Sequence, residues 1–330
     1  MRTYLLKRLL FCVPTLLGIT LVTFALSRMV PGGPLSQRLA LLHEEGIEVG
    51  DEEIARYRDL LALDRPLLHQ YGTWLRQSTT LDFGRSQSGD NLPVRTKIGE
   101  ALAVSLGLQL VSILFIYVLS IPVGCYGAVC YGRWHERWVT LGLLLLYSIP
   151  VFVLAYLLIV LLCTGQVLSI LPLHGLRTID RQGFTWLDHA ADIARHLVLP
   201  VICLSAAGFT AMTRYMRAGM VEALALDFVR TARAKGLRER TVIFKHALAH
   251  GIVPVLALLA GLFPYLLSGS VIVENIFGIP GMGRLAFDSV QSRDYPTLMA
   301  LSLIIGIATM AGFLVSDLLQ AAFDPRVRLR

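Results

Sequence analysis

Few side chains in this sequence are placed to make or break covalent bonds. The eight histidines are scattered. His246 and His250 stand four apart, on one helical face, but the glutamate that completes an H-E-x-x-H metalloprotease pair is missing. No G-x-x-x-x-G-K-[ST] phosphate loop occurs, so ATP is not hydrolysed here by that route. Cys12, Cys125, Cys130, Cys163 and Cys203 lie inside apolar runs without metal-binding spacing, which predicts inert packing, not a disulfide or metal site. The sequence therefore predicts no catalytic group, no metal and no cofactor on this chain. Its chemistry is the chemistry of binding, concentrated in two glycine-punctuated segments. The first is Asp227-Phe228-Val229-Arg230-Thr231-Ala232-Arg233-Ala234-Lys235-Gly236-Leu237. The second holds Glu274-Asn275 and, a few residues on, Pro280-Gly281-Met282-Gly283-Arg284.

The elements that must position these segments are membrane helices. Hydrophobic residues make up 55% of the 330 and charged residues only 16%, with mean hydropathy +0.63, a balance that would leave a soluble domain with large exposed apolar patches. A helix needs about 20 apolar residues to span the hydrocarbon core. Six windows meet that need: 9–27, 101–132, 138–176, 197–213, 246–273 and 295–316. Pro122, Pro150, Pro200, Pro254 and Pro264 interrupt them. Inside a bundle the freed backbone groups find partners on neighbours, so the helical reading stands and the prolines are read as packing kinks.

Lysine and arginine in the short connections set the orientation. With the N-terminus inside, the inner segments hold Arg2, Lys7 and Arg8; Arg133 and Arg137; Arg214, Arg217, Arg230, Arg233, Lys235, Arg238, Arg240 and Lys245; and Arg326, Arg328 and Arg330. Their acids are few: Glu136, Glu222, Asp227, Glu239 and Asp324. Both termini are thus expected in the cytoplasm. The net charge of +7 then points to anionic headgroups and a cytoplasmic partner, not to nucleic acid, because no basic patch is interleaved with aromatics. A signal peptide is the rival reading of the N-terminus, but its apolar run exceeds the usual signal core of roughly 7–15 residues, so an uncleaved first helix is expected over 1–29.

Residues 30–100 depart from membrane composition and read as an extracytoplasmic subdomain, ahead of a transmembrane core over 101–330 with a cytoplasmic loop at about 214–249. Pro31-Gly-Gly-Pro34 ends the first helix. A polar helix is expected over 51–61, with an acidic first turn. This subdomain is either a solvated cap or a docking surface for an external partner.

Projected at 100° per residue, Val221, Leu224, Ala225, Phe228 and Ala232 share one face, opposite Glu222, Arg230 and Arg233. Gly236 suits a left-handed stop, and 237–249 reads as a second short helix. By themselves these residues form an amphipathic hook that could lie on anionic headgroups. Glu274, near a membrane boundary, could steer a peptide amine or a cation; equally, it could pair with Arg284 or cap a helix. Asp317 could relay protons or pair with a cytoplasmic arginine.

The run 227–240, with Lys245-His-Ala-Leu248 and Pro254, resembles the cytoplasmic loop of permease subunits from ATP-binding-cassette importers of the dipeptide/oligopeptide/nickel family. The similarity extends along almost the whole chain: Tyr4-Leu-Leu-Lys-Arg-Leu-Leu10, 71–85, Ser148-Ile-Pro-Val-Phe152, 273–284, Arg293-Asp-Tyr-Pro296 and Phe323-Asp-Pro-Arg-Val327. It implies an all-α, six-span membrane protein with the type I importer fold, working by alternating access. Asp227 to Leu237 would be the coupling helix, seated in a groove of an ATPase subunit. Of the general Glu-Ala-Ala-x-x-x-Gly pattern, only Ala232 and Gly236 match literally. Glu274 to Arg284 would form an outer re-entrant scoop beside the translocation path. The implied partners are a second homologous permease, two ATPases that bind ATP and Mg, and an extracytoplasmic solute-binding protein. Peptide cargo is favoured, nickel or a metal chelate is the alternative, and a secondary transporter or channel using Glu274 and Asp317 is the reading from another class.

Overall fold

The computed structural model describes residues 2–29, 50, 65–166, 168–178, 183–259 and 263–323. The break at 31–34, the helix expected over 51–61, most of the 323–327 motif and the side chain of Asp317 lie outside what is described.

The described residues are helical, with one isolated bridge between Arg85 and Pro93. Four helices are long and apolar enough to cross a membrane: α1 (Arg2–Met29), α3 (Val94–Val129), α6 (Trp186–Ala225) and α14 (Tyr295–Phe323). Between α1 and α3 lies the short α2 (Leu67–Thr79). The window at 138–176 is not one helix. It contains α4 (Trp134–Ser148) and α5 (Val151–Leu162), bent by 102° at a break, and Pro150 stands at that break as the N-cap of α5. The window at 246–273 is likewise divided. After the hook helix α7 (Asp227–Ala234) and the turn α8 (Glu239–Thr241) comes a π-helical turn, Val242–Ala247. Then follow α9 (Leu248–Gly251), α10 (Val253–Leu259), α11 (Phe263–Ser268), α12 (Val271–Ile276) and α13 (Met282–Gln291). Pro122 and Pro200 sit inside unbroken helices. Pro254 and Pro264 are second residues of their helices, where no intrahelical N–H is lost.

The most extensive packing is α3 against α6. On α3, Ile98, Ala101, Ser105, Leu108, Ser112, Ile116, Ser120 and Gly124 are buried at three- and four-residue spacing, a stripe rich in small side chains. Small residues allow the close backbone approach that drives helix association in lipid. At Gly124 a Cβ would come within 2.6 Å of the Met216 Cβ on α6. At 1.5 Å per residue, the 36-residue α3 and the 40-residue α6 exceed the roughly 30 Å hydrocarbon core. They are therefore long enough to extend beyond it. A capping box between Thr185 and Asp188 starts α6.

Candidate functional site: a charged hook and a buried carboxylate lock

The hook begins where α6 ends. Leu226, with φ −73° and ψ 150°, interrupts the helix, so the continuous 100° projection through 221–232 does not hold and the phase restarts at Asp227. The face turned inward is Val229 and Ala232, both buried, while Phe228 is 41% exposed. The expectation that Val221, Leu224 and Ala225 share one continuous face with Phe228 and Ala232 is corrected accordingly, because the break at Leu226 separates the two groups. Val229 and Ala232 pack with Met216, Met220, Ala223, Val242, Ile243 and Ala247, which anchors the hook on the end of α6 and on the π-helical turn. The second short helix expected over 237–249 is α8, the π turn and α9. Exposed instead are Asp227, Phe228, Arg230, Thr231, Arg233, Ala234, Lys235, Gly236 and Leu237. The ring of Phe228 stands edge-on to His250 at 5.8 Å.

The stop is at Gly236, φ +75°. Its N–H donates to the Arg233 carbonyl (2.9 Å) and the Leu237 N–H to the Ala232 carbonyl (3.4 Å), the paired bonds of a Schellman termination. Across this turn Arg233 grips Glu239 in a fork, Nη2 to Oε1 at 2.7 Å and Nε to Oε2 at 3.3 Å. The hydrogen bonds from Arg233 hold the Glu239 carboxyl below the usual range, and the same bonds raise the Arg233 guanidinium. Asp227 and Arg230 make a looser pair at 3.6 Å.

Toward the other end of α3 the second segment is built inward. Glu274 is fully buried, and both of its oxygens are occupied. Oε1 accepts from Ser105 Oγ (2.8 Å) and the Ser270 N–H (3.0 Å); Oε2 accepts from the Arg284 N–H (3.0 Å). Ser105 Oγ in turn accepts from the Met282 N–H at 2.8 Å. Glu274 and Ser105 together thus satisfy two orphan donors in the first turn of α13. Of the alternatives open in the sequence, the helix cap is the one formed. The Arg284 side chain pairs with Asp288 at 3.6 Å, not with Glu274. Glycine is required around this carboxylate for space: a Cβ at Gly281 would lie 2.5 Å from Ser105 Oγ, and one at Gly283 would lie 2.5 Å from the Val271 nitrogen. Met282 is fully buried, Asn275 is half-buried with its carbonyl accepting from Gly278, and Pro280 is exposed.

Family comparison decides what machine these parts belong to. Residues 120–329 match the family described as "Binding-protein-dependent transport system inner membrane component". This chain belongs to that family. The permease is 34% identical over 333 residues to the oligopeptide transport system permease protein AppB of Bacillus subtilis (strain 168), covering 99% of each chain. It is 35% identical over 330 residues to the glutathione transport system permease protein GsiC of Escherichia coli (strain K12), covering all of both. The fold is that of the all-α type I importer permeases, and the protein is an inner-membrane component of a binding-protein-dependent importer.

Hook and lock are not one site. Ser105, at the lock, and Gly124, which meets Met216 above the hook, stand about 29 Å apart along α3. The permease also has functional-looking residues that the sequence reading did not select. Asp294, fully buried, accepts from Ser86 Oγ and Thr297 Oγ1 (2.6 Å each) and from the Gln87 N–H (3.0 Å). It thereby starts α14 and pins the 84–93 loop. Lys97 of α3 completes this cluster with bonds to Ser86, Ser88 and Asp90. Desolvation opposes the Asp90 charge, but the bonds from Lys97 and the Leu92 N–H outweigh it and lower its pKa. The signal for Asp294 was present in Arg293-Asp-Tyr-Pro296 as a helix-start pattern, an acid just before the first helical turn. Ser86 and Lys97 carried no signal, since only the fold brings them to it.

Proposed function

We propose that this permease forms half of the translocation path of an ATP-driven importer of peptides, completed by a second homologous permease. Two ATPase subunits, which bind the ATP and Mg, drive it, and an extracytoplasmic solute-binding protein delivers cargo. Both termini and the hook face the cytoplasm, residues 30–100 and the Glu274 segment face outward, and the chain itself catalyses nothing. Asp227 to Leu237 engage the ATPase: Phe228, Arg230, Lys235 and Leu237 offer an exposed apolar and basic surface, while Val229 and Ala232 tie it to α6. The observation that carries this reading is that division of α7 into a buried anchor and an exposed charged face. It suits a short rigid helix that is pushed from outside and moves what it is anchored to. The 273–284 segment forms the outer scoop, with Glu274 as its internal fixture and no free oxygen for cargo.

The peptide class rests on the full-length similarity to permeases named for oligopeptide and glutathione transport. Nickel or a metal chelate has less support, since AppB and GsiC are named for oligopeptide and glutathione transport. The test is purification of the complex with its ATPases, followed by uptake in vesicles with a peptide panel against nickel. Phe228→Ala with Arg230→Glu is expected to lower ATPase copurification on the order of tenfold, as loss of an interface anchor does, without changing the fold. Absence of ATPase activity from the unaltered complex, or full uptake by Gly236→Pro, would overturn the reading.

A further inference from the structure

About 12 Å above the hook along α6, a junction ties three helices together. Arg217 of α6 reaches Glu136 in the first turn of α4, Nη2 to Oε1 at 2.7 Å. Glu136 is only 5% exposed, and the same oxygen accepts from Thr140 Oγ1 at 3.0 Å. The guanidinium lies 5.1 Å from the Tyr131 ring centre, and the Arg217 stem runs past Gly127 of α3, where a Cβ would come within 3.2 Å of its Cδ. The neighbouring Met216 fills the notch at Gly124. Arginine suits this place because one guanidinium nitrogen can bond the carboxylate while the planar face rests on an aromatic ring.

We propose that the Arg217–Glu136 ion pair is a positioning strut that makes α4 follow α6 when the hook is displaced. This rests on the reading of the hook as the ATPase handle. The path beyond it is contiguous. α4 leads through the bend at Pro150 into α5, and α5 packs on both α6 and α12. Leu154, Ala155 and Ile159 of α5 share a buried cluster with Val273, Phe277 and Ile279 beside the Glu274 lock. Besides the pair, α4 meets α6 through apolar contacts and one buried hydrogen bond, Thr210 Oγ1 donating to the Leu143 carbonyl at 3.2 Å. With the pair, a buried charge on α4 is held by a charge on the helix that carries the hook. Such a contact resists separation because without Arg217 the buried carboxylate keeps only the Thr140 hydroxyl and no compensating charge.

The experiment uses the complete complex in lipid nanodiscs and proteoliposomes, with Glu136→Gln, Arg217→Gln and the reversed pair Glu136→Arg/Arg217→Glu. Three quantities are read: ATPase copurified per permease, ATP hydrolysed, and peptide taken up per ATP. Each single variant is expected to keep its ATPase and to hydrolyse ATP, with uptake per ATP falling on the order of tenfold, within the usual range for coupling between sites. The reversed pair is expected to recover more uptake per ATP than either single variant. Should a neutral variant not assemble, Arg217→Lys, which keeps charge but loses the planar guanidinium over Tyr131, carries the same comparison. Unchanged uptake per ATP in the assembled variants would reduce the pair to a structural contact and overturn the proposal. Lack of ATPase in the unaltered complex would instead overturn the reading of the hook, so the two failures are distinguishable.

Discussion

The hook and the Glu274 lock are both short helices stopped by a glycine in the left-handed region, Gly236 at φ +75° and Gly278 at φ +63°, yet they hold charge in opposite ways. The hook carries its charges in the open. Arg233 and Glu239 are both largely exposed and solvated, so their fork shapes the turn and contributes little to stability. The Glu274 lock excludes water and satisfies its carboxylate with one hydroxyl and two backbone N–H groups. A surface meant for another chain can leave its charges to the partner; a buried charge must be completed by its own chain. The same contrast separates the glycines. Gly236 is needed for its φ with open space around it, while Gly281, at an ordinary extended φ of −103°, is needed because Ser105 and Glu274 stand where a Cβ would go.

Removal of the lock should have the largest effect. Glu274→Leu leaves one buried and two half-buried donors without an acceptor, and each unpaired buried group costs about 1–3 kcal/mol. A thermal unfolding scan of the reconstituted permease is expected to show severe destabilisation, with Glu274→Gln milder. An unchanged midpoint for Glu274→Leu would erase the distinction between lock and hook. Gly281→Ala comes next, at about 1–3 kcal/mol for a methyl forced into a filled space. Gly236→Ala should cost about 1 kcal/mol, from backbone conformation alone. Equal costs in the same scan would mean that space does not decide the first case. The smallest effect concerns pH. The folded pKa of Glu239 lies below its unfolded value, so its contribution is complete above the ordinary glutamate pKa of about 4.3. That contribution disappears as pH falls through the lower folded value. Glu239→Gln should shift stability by no more than about 0.5 kcal/mol, seen as faster amide exchange at 236–239 at neutral pH. The variant and the parent should converge only once the pH has fallen below that lower folded value. Persistent divergence there would assign the turn to something other than the ion pair.

Legibility followed the range of the interaction concerned. The end of α7 at the Gly236 stop was readable because capping is decided within about six residues. The inward face of the hook was not, because one residue, Leu226, leaves the helical region and shifts the phase of everything after it. The break at Pro150 was visible as a proline, but its 102° bend depends on what α4 and α5 pack against. Glu274 offered several partners in sequence, and Ser105, 169 positions away, was not among them. Glu136 and Arg217 registered only as inner charges.

The sequence by itself determined the class of molecule: its apolar windows are too long for a soluble core and its basic residues gather in short connections. Ordered motifs from Tyr4 to Val327 pointed to the permease family, and the match to that family followed. The tertiary structure alone decided which charges are solvated and which are enclosed, because burial depends on neighbours far away in sequence. An exposed Arg233 and a half-buried Arg217 are the same residue type in similar helical surroundings. Only the approach of α4 and the notch at Gly127 turn the second into a strut.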